Sequence, residues 1–187
     1  MVIRMKKAMR AVLLCMVILL LFASCTPYDM QRTATEGPVT CCTGNIFGSD
    51  ALVLQLDWDG DPDHTVIRIP ETCGGQKITK IGGFTGTGVP TPATLTVNGQ
   101  YEQTRNEPAE RICLTIEFGR NIEKIYRLLS TGTVSVIRNG ETVYLDPGFY
   151  MVAYEENDTY YTEGGYVYQK EDGSLVTGIS YWKSPEE

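Results

Sequence analysis

From Asp50 onward, apolar and polar residues alternate. Leu52, Leu54, Leu56 and Trp58 are separated by Val53, Gln55 and Asp57, the two-residue period of a strand that turns one face to a core. Similar short runs follow at Val66 to Ile69, Ala93 to Val97, Leu114 to Phe118, Thr133 to Ile137, Thr142 to Leu145, Tyr150 to Tyr154 and Tyr166 to Tyr168, with Ile78 and Ile81 marking one more. Asn98-Gly99, Asn139-Gly140 and Asp172-Gly173 punctuate them, and such pairs suit the two-residue turns of tight hairpins. Only Asn121 to Ser130 spaces its apolar residues (Ile122, Ile125, Tyr126, Leu129) as a helix would. The pattern predicts a mainly β chain: a small elaborated repeat or hairpin sheet domain, with an antiparallel β-sandwich as the alternative and at most one short helix.

Two stretches read as variants of one unit. The first is Val66-Ile67-Arg68-Ile69-Pro70-Glu71, a Gly-Gly turn, and Lys77-Ile78-Thr79-Lys80-Ile81-Gly82-Gly83-Phe84. The second runs from Leu114-Thr115-Ile116-Glu117-Phe118 to Asn121-Ile122-Glu123-Lys124-Ile125. Each joins an alternating strand to a tight turn and a second apolar pair, which is how repeats line a shared core with short strands. These segments resemble the BspA-type leucine-rich repeats of bacterial surface proteins, whose unit runs strand, Ile-Pro, turn, then Val-Thr-x-Ile-Gly and an aromatic. Asn157-Asp158-Thr159-Tyr160, followed by Gly164-Gly165-Tyr166-Val167-Tyr168-Gln169-Lys170, is similar to a hairpin of the same family. The resemblance covers about a third of the chain beyond the N-terminal segment. It implies a surface protein that works as a binding module. Two departures stand against it: the insert from Thr85 to Arg111 breaks the period, and fewer than three regular repeats are present.

The N-terminus changes the picture. Arg4, Lys6, Lys7 and Arg10 precede an apolar run from Ala11 to Phe22, and Ala23-Ser24-Cys25 closes it. Basic, apolar and small-residue stretches in that order make a secretory signal. The run falls short of the ~20 apolar residues that a membrane-crossing helix needs. With a cysteine after the small pair, the segment resembles a bacterial lipoprotein signal, in which that cysteine is acylated and becomes the new N-terminus. An ordinary cleaved signal is the rival, because Phe22 stands where such motifs carry an aliphatic residue. The division expected is residues 1–24 as lipoprotein signal peptide, 25–48 as tether and lead-in loop, and 49–187 as a single β-rich domain. Cys25 is the expected lipid attachment site, and the expected location is the extracytoplasmic face of the cell membrane.

Charge then narrows the partners. Four of the 16 Lys+Arg lie in residues 1–24 and none of the 23 Asp+Glu does, so the remainder carries 12 against 23, a formal −11. Such a surface repels phosphate, which argues against nucleic acid, and it disfavours anionic headgroups beyond the anchor itself.

Four cysteines follow Cys25: Cys41, Cys42, Cys73 and Cys113. An even number in an oxidising compartment predicts a disulfide joining Cys41 or Cys42 to Cys73 or Cys113, of ~3 kcal/mol. No Cys-x-x-Cys pair occurs and His64 is the sole histidine, so zinc is not expected. Asp57-Trp58-Asp59-Gly60-Asp61-Pro62-Asp63 offers alternate carboxylates of the kind calcium takes. Pro62 and Arg68, however, occupy positions where an EF-hand needs its glycine and its glutamate, and a hairpin turn explains the acids without a metal. One histidine, no phosphate loop and no nucleophile elbow predict neither an enzyme nor a cofactor.

Eleven tyrosines are present, and Tyr150, Tyr154, Tyr160, Tyr161, Tyr166 and Tyr168 crowd one region, with Trp182 nearby in sequence. Rings with a polar handle suit recognition at a wet surface, although strands also select aromatics for packing. Tyr160 and Tyr161, on what reads as a loop from Asn157 to Gly165, are the predicted binding surface. The expectation is a lipid-anchored surface protein that acts as a binding module, with its protein or glycan partner left open, and with a glycan-binding accessory to a surface hydrolase as the alternative.

Overall fold

The computed structural model describes residues 29–44, 48–84, 90–100, 108–130 and 132–180. Cys25, the signal segment and Trp182 lie outside the described residues. The chain is mainly β.

The first strands come earlier than predicted. β1 (Thr33–Glu36) and β2 (Val39–Cys42) form a hairpin within the segment expected to be tether, and β2 pairs antiparallel with β3 (Asp50–Trp58). Val39, Cys41 and Cys42 are fully buried, so residues that read as polar linker are packed strand. Cysteine and threonine fit a pleated surface as well as larger apolar groups do.

β4 (Val66–Arg68) leaves that sheet. It pairs parallel with β10 (Glu110–Phe118), which pairs parallel with β14 (Glu141–Ala153); β13 (Val134–Arg138) closes the far edge antiparallel. The Asp57–Asp63 stretch is therefore a corner between two sheets, and the hairpin expected there does not form. In the first sheet, β3 pairs parallel with β6 (Gln76–Ile81) and with β9 (Ala93–Val97). β5 (Thr72–Cys73) folds back onto β6, while β7 (Gly83–Phe84) and β8 (Pro90–Thr91) form a small separate pair. With both main sheets built on parallel pairs, the antiparallel sandwich is excluded.

Asn121–Ser130, the one candidate helix, is two short strands. β11 (Lys124–Ile125) lies parallel to β6, and β12 (Leu128–Leu129) lies parallel to β9. Its backbone groups bond outward: Tyr126 N donates to Ile81 O (2.9 Å) and Leu128 N to Gly178 O (3.1 Å). Ile125 and Leu128 are buried. A chain that turns corners between short strands buries residues at three- and four-residue intervals, which imitates helical spacing.

The two units read from sequence lie side by side in register. Val66, Ile67 and Arg68 face Thr115, Ile116 and Glu117, and Lys80-Ile81 faces Lys124-Ile125. Tyr150, Met151 and Val152 add a third rung beside the same three residues of β10. Ile67, Ile116 and Met151 point into one core at 2%, 0% and 0% exposure, each burial contributing about 2 kcal/mol.

β3 also departs from simple alternation. Its pairing shifts register between Ala51 and Leu52, and that with β2 shifts between Thr40 and Cys41. A one-residue slip exchanges the faces of a strand. Leu56 and Trp58 accordingly enter the main core with Ala51 and Val53, whereas Leu52 packs with Cys42, Met30 and Leu54 in a smaller cluster. The single Leu52-to-Trp58 face expected from sequence is split in two.

Candidate functional site

Asn157 and Tyr160 hold the third unit to the second. Asn157 follows β14 and is fully buried. Its Nδ2 donates to Gly119 O (2.7 Å) and Ile122 O (3.0 Å), while its Oδ1 accepts from Thr159 N (2.9 Å) and Tyr160 N (2.7 Å). Tyr160 opens β15 (Tyr160–Glu163), packs edge-on to Phe118 and is 4% exposed. Its hydroxyl accepts from Ile125 N (3.1 Å) and reaches Glu123 O (3.4 Å), and burial raises its pKa. Tyr160 is thus a core residue, which corrects its assignment to a binding surface. The tyrosine is amphipathic, and the orphan amide of Ile125 gives its hydroxyl an interior partner.

Tyr161 points the other way. Residues 157–165 are a corner and a strand, and β15 pairs with β16 (Tyr166–Gln169) across Gly164-Gly165. Both glycines have positive φ, +58° and +83°, and a side chain at Gly165 would run into the Tyr150 ring. The register sets Tyr161 opposite Tyr168, and the rings stack 5.3 Å apart at 20°. Tyr161 is 36% exposed. The surface part of the predicted pair is therefore Tyr161 with Tyr168, a partner readable from the alternation of Tyr166 and Tyr168 across a Gly-Gly turn.

A polar ladder runs across the outward face of the parallel rungs. Arg68 Nε donates to Glu117 Oε2 (2.7 Å), and Tyr154 Oη donates to the same oxygen (2.9 Å). Burial pushes the Glu117 carboxyl up, but these two donors outweigh it and leave its pKa lowered; the carboxylate in turn raises that of Tyr154. Val66, Val152 and Tyr154 are exposed beside this ladder at 47%, 37% and 40%. Sequence reading did not single out this face, because its three strands are far apart in the chain.

The carboxylates of the Asp57–His64 corner are bonded partly by β9 and its turn and partly within the corner itself. Asp57 Oδ1 accepts from Thr96 Oγ1 (2.7 Å) and Gly99 N (2.7 Å). Asp59 Oδ1 and Asp61 Oδ1 accept from the amides two residues on. His64 Nδ1 lies 2.8 Å from Asp59 Oδ2, and that bond raises the histidine pKa. Burial would raise the Asp59 pKa, but the Asp61 amide and the His64 ring lower it overall. Among the described residues, no three His, Cys, Asp or Glu are placed to hold a metal ion. Beside the corner is an open groove of about 750 Å³, lined by Pro38, Trp58, Asp59, His64, Val66 and Arg68 among others, with no tyrosine among the described residues that line it. Trp58 is buried at 2% exposure beside it, with Nε1 donating to His64 O (2.8 Å).

Cys41, Cys42, Cys73 and Cys113 are free thiols in this structure, so the expected disulfide is not formed here. Cys113 sits on the outward face of β10, and Cys42 lies in the minor cluster.

No family model matches the chain, and no curated protein matches it. Among solved structures, the chain is similar to the pneumococcal vaccine antigen PcpA, with 11% identity over 74% of this chain and 54% of that one, at a TM-score of 0.19. The chain thus spans about half the length of that structure. A likeness this faint carries no argument about fold or function.

Proposed function

We propose that the protein is a lipid-anchored bacterial surface protein that acts by contact rather than by turnover, with degenerate BspA-type leucine-rich repeats as its scaffold. The observation that carries this reading is the in-register parallel stacking of Val66–Arg68, Thr115–Glu117 and Tyr150–Val152. Stacked repeats present a continuous outward face for a partner, and here that face holds the Arg68–Glu117–Tyr154 ladder beside exposed Val66 and Val152. The N-terminal basic and apolar runs ending at Cys25 support signal cleavage, acylation of Cys25 and residence at the extracytoplasmic face of the membrane, where a disulfide also belongs.

The partner is a protein. The stacked Tyr161 and Tyr168 are not among the described residues that line the acidic groove, and Trp58, which does line it, is only 2% exposed, so the exposed rings and the acids that a glycan site would combine lie apart. Tyr161 is the residue expected to matter most on the hairpin, since it combines exposure with a ring already held in place.

Two measurements test this. Membrane fractionation should find the wild-type protein shortened by residues 1–24 and membrane-bound, and Cys25→Ala should release it or block its maturation. An uncleaved N-terminus in wild-type membranes overturns the anchor. For binding, Tyr161→Ala should weaken attachment to the host or bacterial surface protein captured by cross-linking by about 2 kcal/mol if it is a hot spot. Attachment to purified glycan instead of protein supports the accessory reading, and a hydrolytic activity abolished by His64→Ala overturns the non-enzymatic one.

A further inference from the structure

The β1–β2 hairpin is the first described structure after Cys25, and it forms the edge of its sheet. Thr33, Thr35 and Glu36 of β1 are exposed, so little besides β2 holds that strand. The β5–β6 turn meets it from below. Cys73 Sγ donates to Ala34 O (3.4 Å), and Ala34 is the residue directly opposite Cys41. The approach is close: a side-chain carbon at Gly74 would lie 2.7 Å from Ala34 Cβ. Cys41 and Cys73 are both fully buried in the same main core, and Cys73 is close enough to raise the Cys41 pKa. Cys42 alternates to the opposite face, where its Sγ donates to Asp29 O (3.2 Å). Of the four pairings open to the sequence, one is therefore brought together.

We propose that Cys41 and Cys73 become a disulfide when the chain folds in an oxidising compartment, fastening the anchor-side hairpin to the first repeat unit. The inference rests on the extracytoplasmic placement proposed above. The oxidant is an external disulfide, either a small-molecule one or that of a thiol–disulfide oxidoreductase. One cysteine thiolate attacks it, forming a mixed disulfide and releasing one reduced thiol. The second cysteine then gives up its proton and attacks the protein sulfur of that mixed disulfide, releasing the other thiol. The protein loses two hydrogens and the oxidant gains them. Burial and the neighbouring Cys73 hold the Cys41 thiol well above the ordinary thiol range, and a protonated thiol is a poor nucleophile. Oxidation consequently belongs to folding, before the core closes, and the folded reduced protein should react slowly.

The test refolds the full chain with oxidised and reduced glutathione, digests it with trypsin and reads masses before and after reduction. The expected product links the peptide Thr33–Arg68, which holds Cys41 and Cys42, to Ile69–Lys77, which holds Cys73. The link should survive Cys42→Ser and disappear in Cys41→Ser. The linked protein should melt about 10 °C above its reduced form. Free Cys41 and Cys73 after glutathione refolding overturn the proposal, as does a link kept by Cys41→Ser and lost in Cys42→Ser. Protein from the membranes of exporting cells forms the second arm. A pair linked by glutathione yet reduced in those membranes supports the pairing and overturns the placement.

Discussion

Two corners of the molecule follow long strands, and they use polar residues in opposite ways. The corner after β3 carries three carboxylates, Asp59, Asp61 and Asp63, and Asp59 and Asp61 turn back on amides two residues ahead. The corner after β14 carries Asn157, which reaches across to a different unit for both of its acceptors. The difference is chemical. A carboxylate only accepts, so it can cap its own loop but cannot satisfy the carbonyls of Gly119 and Ile122. An amide gives two donors and accepts two more, which is what a joint between stacked units requires when water is excluded. Glu155, Glu156 and Asp158 beside Asn157 are exposed, as Asp59 and Asp63 of the first corner are; what joins two units is the one buried neutral side chain, while Asp59 and Asp61 cap only their own loop.

The sharpest way to break this contrast is Asn157→Ala. It strands two carbonyls and two amides in a fully buried site, and unmade buried hydrogen bonds cost ~1–3 kcal/mol each. A loss of about 4 kcal/mol in urea unfolding is expected. A loss below about 1 kcal/mol would mean that the corner does not join the units. Tyr160→Phe is the next step down. It keeps the ring against Phe118 and deletes only the hydroxyl that serves Ile125 N, so about 1 kcal/mol should go. If Tyr160→Phe is neutral while Asn157→Ala is severe, the amide alone makes the joint. On the outward face, a double-mutant cycle with Arg68→Ala and Glu117→Ala should give a coupling of at most about 1 kcal/mol, because Arg68 is largely exposed.

What the sequence made legible follows the same division. The β class and the two repeat units could be read, since alternation and the recurring Ile spacing are local signals that parallel stacking then uses directly. The turns at Asn98-Gly99 and Asn139-Gly140 could be read as well, and both residues of each pair adopt positive φ. The hairpin at Thr33–Cys42 was hidden because its buried residues are cysteine and valine among threonines. The false helix at Asn121–Ser130 arose because corners and helices bury residues at similar intervals. At the candidate site, local sequence could not separate Tyr160 from Tyr161. Neighbouring strand residues face opposite sides, and which side is buried depended on Phe118 and Ile125, some 35 residues or more upstream.

The smallest expected effect lies at the charged corner and concerns titration rather than stability. His64 is bonded to Asp59 and lies near Asp61, and its pKa is raised above the ordinary value of 6.5. A raised histidine contributes stability that is fully present below its ordinary pKa and is lost as pH rises through the folded one. Asp59 runs the other way: its lowered pKa contributes stability that is present above its ordinary value of 3.8 and is lost as pH falls through the folded one. The pair therefore helps most in the window between the two ordinary values, 3.8 and 6.5, and weakly, since both side chains are more than half exposed. As the sole histidine, His64 gives one unambiguous imidazole signal in a proton NMR titration. In Asp59→Asn, its midpoint should move down toward the ordinary value, with Asp61 and Asp63 keeping part of the rise. An unchanged midpoint would mean that the Asp59 bond does not persist in solution, and the self-capping account of this corner would then rest on its backbone amides alone.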